Sequence, residues 1–549
     1  MSKLKKESSA SFLKNIAFLM FSQVVVKLLG LVYRVAIVDA EGFGNTGNGY
    51  YATGYQVYMV LLAISCMGIG NVVSKLVSER AAMGDYKGAH RVFKLMLTMF
   101  AGFGFALTLL LFFGADFIST VLLKASGVKY TLMVLAPALT IVSISAVVRG
   151  YFSGLGSMKA LGSSQIIEQI FNCILSIAFV YMCVGYDSAI MAAAGNVSTT
   201  VACAIALVYL IFYYRKRRPD IKEQCAKQEV EQEKISRKRL VKIVISLAFP
   251  IAVSSLITTI NSIIDIFTVS HGIQNALSAQ FGYSAEVLEE MAMALYGTLQ
   301  KAEVITHLPL AISGTLCAAI VPVISSHLAK GESDGVNRKI SQASLVSSLL
   351  IFPCMGGLMV LASPVLKLLY PSAPEGSLML ILLCVTLPFA SLTYVLNGVL
   401  YGAGKQFVPA VSIGIGSAIK LILNLVLVNI PSLNIYGAII GTIVYQIFVF
   451  TVEAVVVYRL VGLKMNYIKV FVKPFISAVL MSGAVAGVYK LSILFAGNTA
   501  ATLISIVAGV LLYAVMILIF KTFGEDDLEG IPFGDKLIKV FGKFHFLGN

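Results

Sequence analysis

The chain has 549 residues, of which 58% are hydrophobic and only 13% charged, and its mean hydropathy is +0.88. Soluble domains carry about 25% charged residues, so soluble globular, disordered and disulfide-rich classes are excluded at the first step. The net charge of +15 would suit nucleic acid, but its placement decides that question. The 8 Cys show no C-x-x-C spacing and mostly sit in apolar runs, so they read as small packing residues, with no disulfide or metal site expected.

Apolar runs of about 18 residues or more are transmembrane candidates, because about 20 residues cross the hydrocarbon core. Fourteen are expected: 13–38, 51–74, 92–113, 130–148, 161–184, 189–214, 241–270, 295–324, 343–362, 378–401, 407–429, 435–458, 474–495 and 499–520. Lys3, Lys5 and Lys6 resemble the start of a signal peptide. The stretch that follows is too long, holds Lys27 and Arg34 and lacks an A-x-A cleavage site, so it reads as a retained first helix.

Positive charge sets the expected orientation. With the N-terminus in the cytoplasm, 34 Lys and Arg fall in cytoplasmic segments and 4 (Lys124, Lys129, Lys367, Lys490) in outside loops. That asymmetry is a positive-inside signal, and it explains the basic composition without nucleic acid. Both termini are expected in the cytoplasm of a bacterial cell membrane, and 271–292 outside. Four cations remain within spans: Lys27 and Arg34 in span 1, Lys301 in span 8 and Lys420 in span 11. The acids at membrane depth include Glu168, Asp265, Glu303 and Glu453. Charges there cost at least about 2.5–3.5 kcal/mol, so they face a protein interior or a watery cavity.

The chain repeats itself in parallel. Ser78, Gly84, Gly88 and Arg91 recur 247 positions later as Ser325, Gly331, Gly335 and Arg338. Gly150, Gly154 and Gly156 recur as Gly398, Gly402 and Gly404, and Gly195 as Gly441. The fold class is therefore all-α and polytopic: two parallel-related six-helix bundles plus two extra C-terminal helices. The expected domains are 1–214 (first bundle), 215–240 (basic cytoplasmic linker with affinity for anionic lipid), 241–460 (second bundle), 461–525 (helices 13 and 14) and 526–549 (cytoplasmic tail). The small-xxx-small pairs Gly150/Gly154 and Gly398/Gly402 point to close helix packing or tight turns. Gly402-Ala-Gly404-Lys405 is no phosphate loop, since Gln406 stands where Ser or Thr is needed and no strand precedes it. No nucleotide-driven engine is present.

Two six-helix bundles, two further helices and a repeated cytoplasmic Gly loop resemble the multidrug/oligosaccharidyl-lipid/polysaccharide exporter superfamily. Within it the chain is similar to the branch of MurJ-like lipid II flippases, stage V sporulation protein B and polysaccharide biosynthesis proteins. The residues that carry this are Lys27-Leu-Leu-Gly30, Gly42-Phe-Gly44 through Gly49-Tyr-Tyr51, Met67-Gly-Ile-Gly70 to Ser74-Lys75, and Leu295-Tyr-Gly297 with Leu308-Pro309, Val321-Pro322 and Ser325. The resemblance implies a non-enzymatic transporter with a central cavity lined by spans 1, 2, 7 and 8. Its implied partners are a polyprenyl-diphosphate-linked glycan, either lipid II or a polysaccharide repeat unit, and membrane lipids. A monomer without cofactor is expected, driven by a coupling ion or proton. Peptidoglycan, capsule and sporulation roles stay open.

The residues agree with that implication. Lys27 and Arg34 are two helical turns apart and share a face. Asn261 and Asp265 in span 7, and Glu303 and His307 in span 8, are each four apart. A diphosphate headgroup calls for Arg or Lys as counter-charge. The candidate substrate-site residues are therefore Lys27, Arg34, Lys301, Glu303 and Asp265, with the acids balancing the cations or holding the ion. The alternative is a structural ion network among them, or a snorkelling Arg34. Gln56 and Tyr58 offer neutral sugar contacts. Glu286, Glu289 and Glu290 read as a solvated helix face. A cation-coupled multidrug antiporter of the same superfamily is the alternative function; such antiporters favour acidic cavities and stop at twelve spans.

Overall fold

A computed structural model describes residues 9–66, 68–226, 228, 236–278, 282–462 and 465–523. The expected tail 526–549, the first eight residues and 229–235 of the expected linker lie outside the described residues. Among the described residues the chain is helical and without strands. That follows from the composition, since in hydrocarbon every backbone N–H and C=O must be satisfied within its own segment.

The helices are α1 (Ser9–Val38), α2 (Gly44–Ser65), α3 (Ile69–Ala82), α4 (Tyr86–Phe117), α5 (Val128–Gly154), α6 (Lys159–Met182), α7 (Ser188–Ala226), α8 (Arg237–Ser278) and α9 (Ala285–Ala329). There follow α10 (Ser333–Val360), α11 (Ala362–Leu369), α12 (Ser377–Cys384), α13 (Leu387–Gly402), α14 (Phe407–Leu427), α15 (Ile435–Val461), α16 (Lys473–Ser492) and α17 (Asn498–Ile519). Among the described residues twelve stretches are long and apolar enough to cross a membrane, and the pair α12 and α13, bent by 41°, makes thirteen. The first expected span coincides with α1. The protein is a multi-pass membrane protein of the expected class.

Two departures matter. Expected span 2 is broken into α2 and α3 at Gly68, whose φ of +94° interrupts the helix. The expected linker begins as an uninterrupted extension of α7 through Arg215–Pro219 to Ala226, because its Lys, Arg, Gln and Glu residues are good helix formers.

The chain divides into two compact units, 1–297 and 298–549, and the boundary falls inside α9. The repeat is built in both. In the first unit a Cβ at Gly150 would lie 2.5 Å from the Gly70 carbonyl, and one at Gly154 would lie 2.7 Å from that of Ser74. In the second, Gly398 and Gly402 meet the carbonyls of Cys317 and Val321 at 2.9 and 2.8 Å in the same way. So α5 crosses α3, and α13 crosses α9, backbone against backbone. The turns recur too: Gly84 and Gly331 have φ of +77° and +71°, and Gly156 and Gly404 of +82° and +71°. A side-chain contact five residues apart closes each first turn: an ion pair of Arg80 with Asp85 at 3.0 Å, and a hydrogen bond between His327 and Glu332 at 2.7 Å. These side chains lie over Gly88 and Gly335, where a Cβ would strike them. Gly88, Gly150, Gly154 and their counterparts Gly335, Gly398 and Gly402 are places for a neighbour's atoms, whereas Gly84, Gly156, Gly331 and Gly404 hold left-handed turns.

Overpacking a tight contact costs about 1–3 kcal/mol. Gly150→Ala and Gly398→Ala should each lower the melting temperature of the purified protein. Gly102→Ala, at a position with open space around it, should not. Equal melting temperatures for all three variants would contradict the close crossings.

Candidate functional site

Arg34 is carried on the last third of α1, half-buried. Its guanidinium lies 5.0 Å from the ring centroid of Tyr51 and donates to the side-chain oxygen of Asn48 at 3.4 Å. Both partners are on α2. The Asn48 amide nitrogen in turn donates to the Gly297 carbonyl on α9 at 2.7 Å. A cation over an aromatic face gains about 0.5–2 kcal/mol, rising as water is excluded. Arg34 is thus joined through one asparagine to the backbone of α9.

That relay exists because α2 and α9 approach closely. A Cβ at Gly49 would fall on the Met293 carbonyl, and one at Gly297 on that of Asn45. Thr53 meets the sulfur of Met293 at 3.7 Å. Glu289, at the start of α9, fastens the same region. Its carboxylate accepts from the Tyr50 hydroxyl and the Gly127 N–H, both at 3.0 Å, and from the Ser126 hydroxyl at 2.9 Å. The expectation of a purely solvated acidic face therefore fails for Glu289. Charge-assisted bonds to three donors hold it, and those donors come from remote parts of the chain.

Below Arg34 runs an aromatic ladder. Tyr33 meets Tyr51 with centroids 6.4 Å apart, Tyr51 stacks on Tyr55 at 6.4 Å, and Tyr55 meets Tyr58 at 5.8 Å. Tyr51 and Tyr58 are almost completely buried, so Tyr58 is a wall of the first unit and not an open sugar contact. The i, i+4, i+7 spacing of tyrosines 51, 55 and 58 was readable in the sequence as one helix face.

The remaining expected site residues divide by location. Lys27 is exposed on α1, two turns from Arg34. Asp265 is buried on α8, a helix that packs against α2. Lys301 and Glu303 belong to the second unit. The Lys301 ammonium is buried, donates to the Ala373 carbonyl and sits 5.3 Å from the Tyr370 ring centroid, so it holds the loop between α11 and α12. Glu303 is half-buried and accepts from the Gln300 amide at 2.7 Å, while His307 is exposed.

Other charges at depth have structural partners. Glu168 on α6 pairs with Arg149 on α5 at 2.6 Å, and Arg149 also donates to Ser164 at 2.8 Å. Arg149 therefore serves inside the bundle rather than as a loop cation. Lys420 on α14 is buried and lies 6.0 Å from the Tyr445 ring centroid. Glu453 on α15 accepts from Ser412 at 2.8 Å, and its other oxygen has no hydrogen-bond partner among the described residues.

Comparison with known proteins agrees with this architecture. The model of the polysaccharide biosynthesis protein family matches residues 12–328. Stage V sporulation protein B of Bacillus subtilis (strain 168) is 26% identical over 533 residues, covering 96% of this chain and 99% of that one. Lipid II flippase MurJ of the same organism is 26% identical over 450 residues, 79% and 80% of the two chains. Among solved structures, a lipid II flippase MurJ in an inward closed conformation superposes with a TM-score of 0.67 at 16% identity, covering 92% of this chain and 98% of its own. An outward-facing multidrug resistance transporter of the MATE family and MOP superfamily gives 0.57 at 16% identity, covering 84% and 97%. The chain is a member of the polysaccharide biosynthesis protein family of membrane proteins.

Proposed function

We propose that the protein is a flippase that carries a polyprenyl-diphosphate-linked cell-envelope glycan precursor outward across the cytoplasmic membrane by alternating access. The observation that carries this reading is Arg34, a cation of α1 at membrane depth that is only half-buried and touches α2. A diphosphate has charge and oxygens to match the guanidinium fork. Lys27 lies on the same face about 10 Å along the axis, at about 1.5 Å per residue. Two cations at that separation suit two successive positions of one headgroup. When the diphosphate takes Arg34, it competes with Asn48, and Asn48 is what ties Arg34 to α9. Substrate charge is thereby coupled to the α2 and α9 crossing. A relative named as a lipid II flippase supports a lipid-linked substrate. The similarity to multidrug transporters fits the fold, but cations on span 1 suit an anionic cargo better than a cationic drug.

Asp265 and Glu303 are the proposed ligands of a coupling ion or proton, since moving one charge through the membrane potential supplies about 2.3 kcal/mol per 100 mV. Lys301 serves as the latch of the 370–376 loop.

In vesicles holding a fluorescent lipid-linked disaccharide diphosphate, Arg34→Ala should slow flipping roughly 10–100-fold, the worth of a charge-assisted bond. Arg34→Lys should fall between, Lys27→Ala should also be slow, and the melting temperature of all three should hold. Dissipating potential and ion gradients should stop the wild type. Normal flipping in Arg34→Ala refutes the site, flipping without gradients refutes ion coupling, and a collapsed melting temperature assigns Arg34 a structural role.

The orientation is proposed from the division of loop cations, 33 to 4 once Arg149 is placed inside the bundle. A cysteine at the exposed Arg217 should react with an impermeant reagent only in inverted vesicles, and one at the exposed Tyr283 only in intact cells. Reaction of Arg217→Cys in intact cells would overturn it.

A further inference from the structure

The repeat provides an internal control for one feature that transport does not use. Over the first three turns of α4 stand Lys87, His90, Arg91 and Lys94, and 247 positions later the same places hold Asp334, Asn337, Arg338 and Ser341. The second copy adds Lys339, but its acids balance its cations, whereas the first copy keeps a net positive turn. The companion helices differ in the same sense. The α15 helix stops at Val461, the counterpart of Arg215, while α7 continues for eleven residues beyond Arg215 and opens that extension with Lys216-Arg217-Arg218. The shared scaffold does not need these charges, because its second copy folds without them.

Their placement says what they face. On α7, Val208, Ile211 and Phe212 are exposed apolar residues, and Arg215 continues the same stripe at spacings of 3, 4 and 7. On α4 the exposed stripe of Phe105, Gly102 and Thr98 ends in Lys94 and Arg91 in the same way. Exposed apolar stripes on membrane-spanning helices face acyl chains, so cations that cap them stand at headgroup level. The two helices meet at that level. The His90 ring stacks on Tyr214 with an interplanar angle of 7° and lies against Phe93, and Lys94 and Arg218 each follow one helical turn on from those rings, four residues after His90 on α4 and after Tyr214 on α7. Tyr151 on α5 closes the floor, its hydroxyl 3.4 Å from the His90 ring nitrogen.

We propose that Lys94, Arg215 and Arg218, over the aromatic floor of His90 and Tyr214, form a binding site for the headgroup of an anionic phospholipid in the leaflet beside the first unit. The chemistry is a phosphate held by guanidinium and ammonium groups, with the acyl chains lying along the apolar stripes of α4 and α7. The site rests on the proposed orientation only for the name of the leaflet. It differs from the transport site in both its residues and its helix ends.

The test uses the full-length protein in phosphatidylcholine nanodiscs titrated with phosphatidylglycerol, with retained lipid read by native mass spectrometry. Each neutralised cation should weaken phosphatidylglycerol binding about fivefold, the equivalent of about 1 kcal/mol per Lys or Arg at the surface. The triple variant Lys94→Gln, Arg215→Gln, Arg218→Gln should therefore lose the tightly retained molecule. The second-half pair Arg338→Gln, Lys339→Gln should keep it, as should the charge-keeping set Lys94→Arg, Arg215→Lys, Arg218→Lys, which also guards against misfolding. Undiminished retention in the triple variant, or equal loss in the second-half pair, would overturn the proposal. Glycerol phosphate in solution should not compete, and displacement of the lipid by it would assign the site to a soluble phosphate instead. The outcome does not depend on cysteine labelling or flipping, so failure here is distinct from failure of the flippase reading.

Discussion

Backbone contact without side chains is the constraint on which this structure depends. In hydrocarbon no hydrophobic force drives helices together, so association relies on close packing and internal polar bonds. The protein meets this with glycines at its crossings: Gly49 and Gly297 between α2 and α9, Gly150 and Gly154 between α5 and α3, Gly398 and Gly402 between α13 and α9. Only at such a separation can Asn48 reach the Gly297 carbonyl, and only then does Arg34 feel the position of α9. The same closeness limits what can move. A contact of this kind is made or broken as a whole, which suits a gate with two states.

The second theme is how each charge at depth is offset. Arg149 has Glu168, Lys301 has a carbonyl and a tyrosine ring, and Glu453 has Ser412. Removing one partner of a buried pair costs about 3–5 kcal/mol, so these positions are structural first. Arg34 and Lys27 differ by exposure. A cation left within reach of water in a membrane protein can exchange partners, and exchange is what reading a moving headgroup demands.

Much of this was legible in the sequence. Span positions, the parallel repeat and the packing role of the glycine pairs follow from hydrophobic length and from offsets of 246 to 248, all local quantities. The paired turns could have been read further, since Arg80 and Asp85 map onto His327 and Glu332 at the common offset. What periodicity could not supply were partners remote in sequence. Lys301 meets Ala373 across 72 residues, and Glu289 meets Gly127 across 162. A lone cation on a helix looks the same whether it awaits a ligand or holds a loop. The break at Gly68 was hidden as well, because one left-handed residue leaves hydropathy unchanged.

In the proposed transport cycle the α2 and α9 crossing, to which Arg34 is tied through Asn48, opens as cargo leaves. Thr53 and Met293, side chains in contact across that crossing, offer the most direct measurement. The double variant Thr53→Cys, Met293→Cys can be oxidised in vesicles and its flipping compared before and after reduction. The cross-linked protein is expected to be inactive, with transport restored on reduction. Full-rate flipping by completely cross-linked protein would contradict the opening of that crossing.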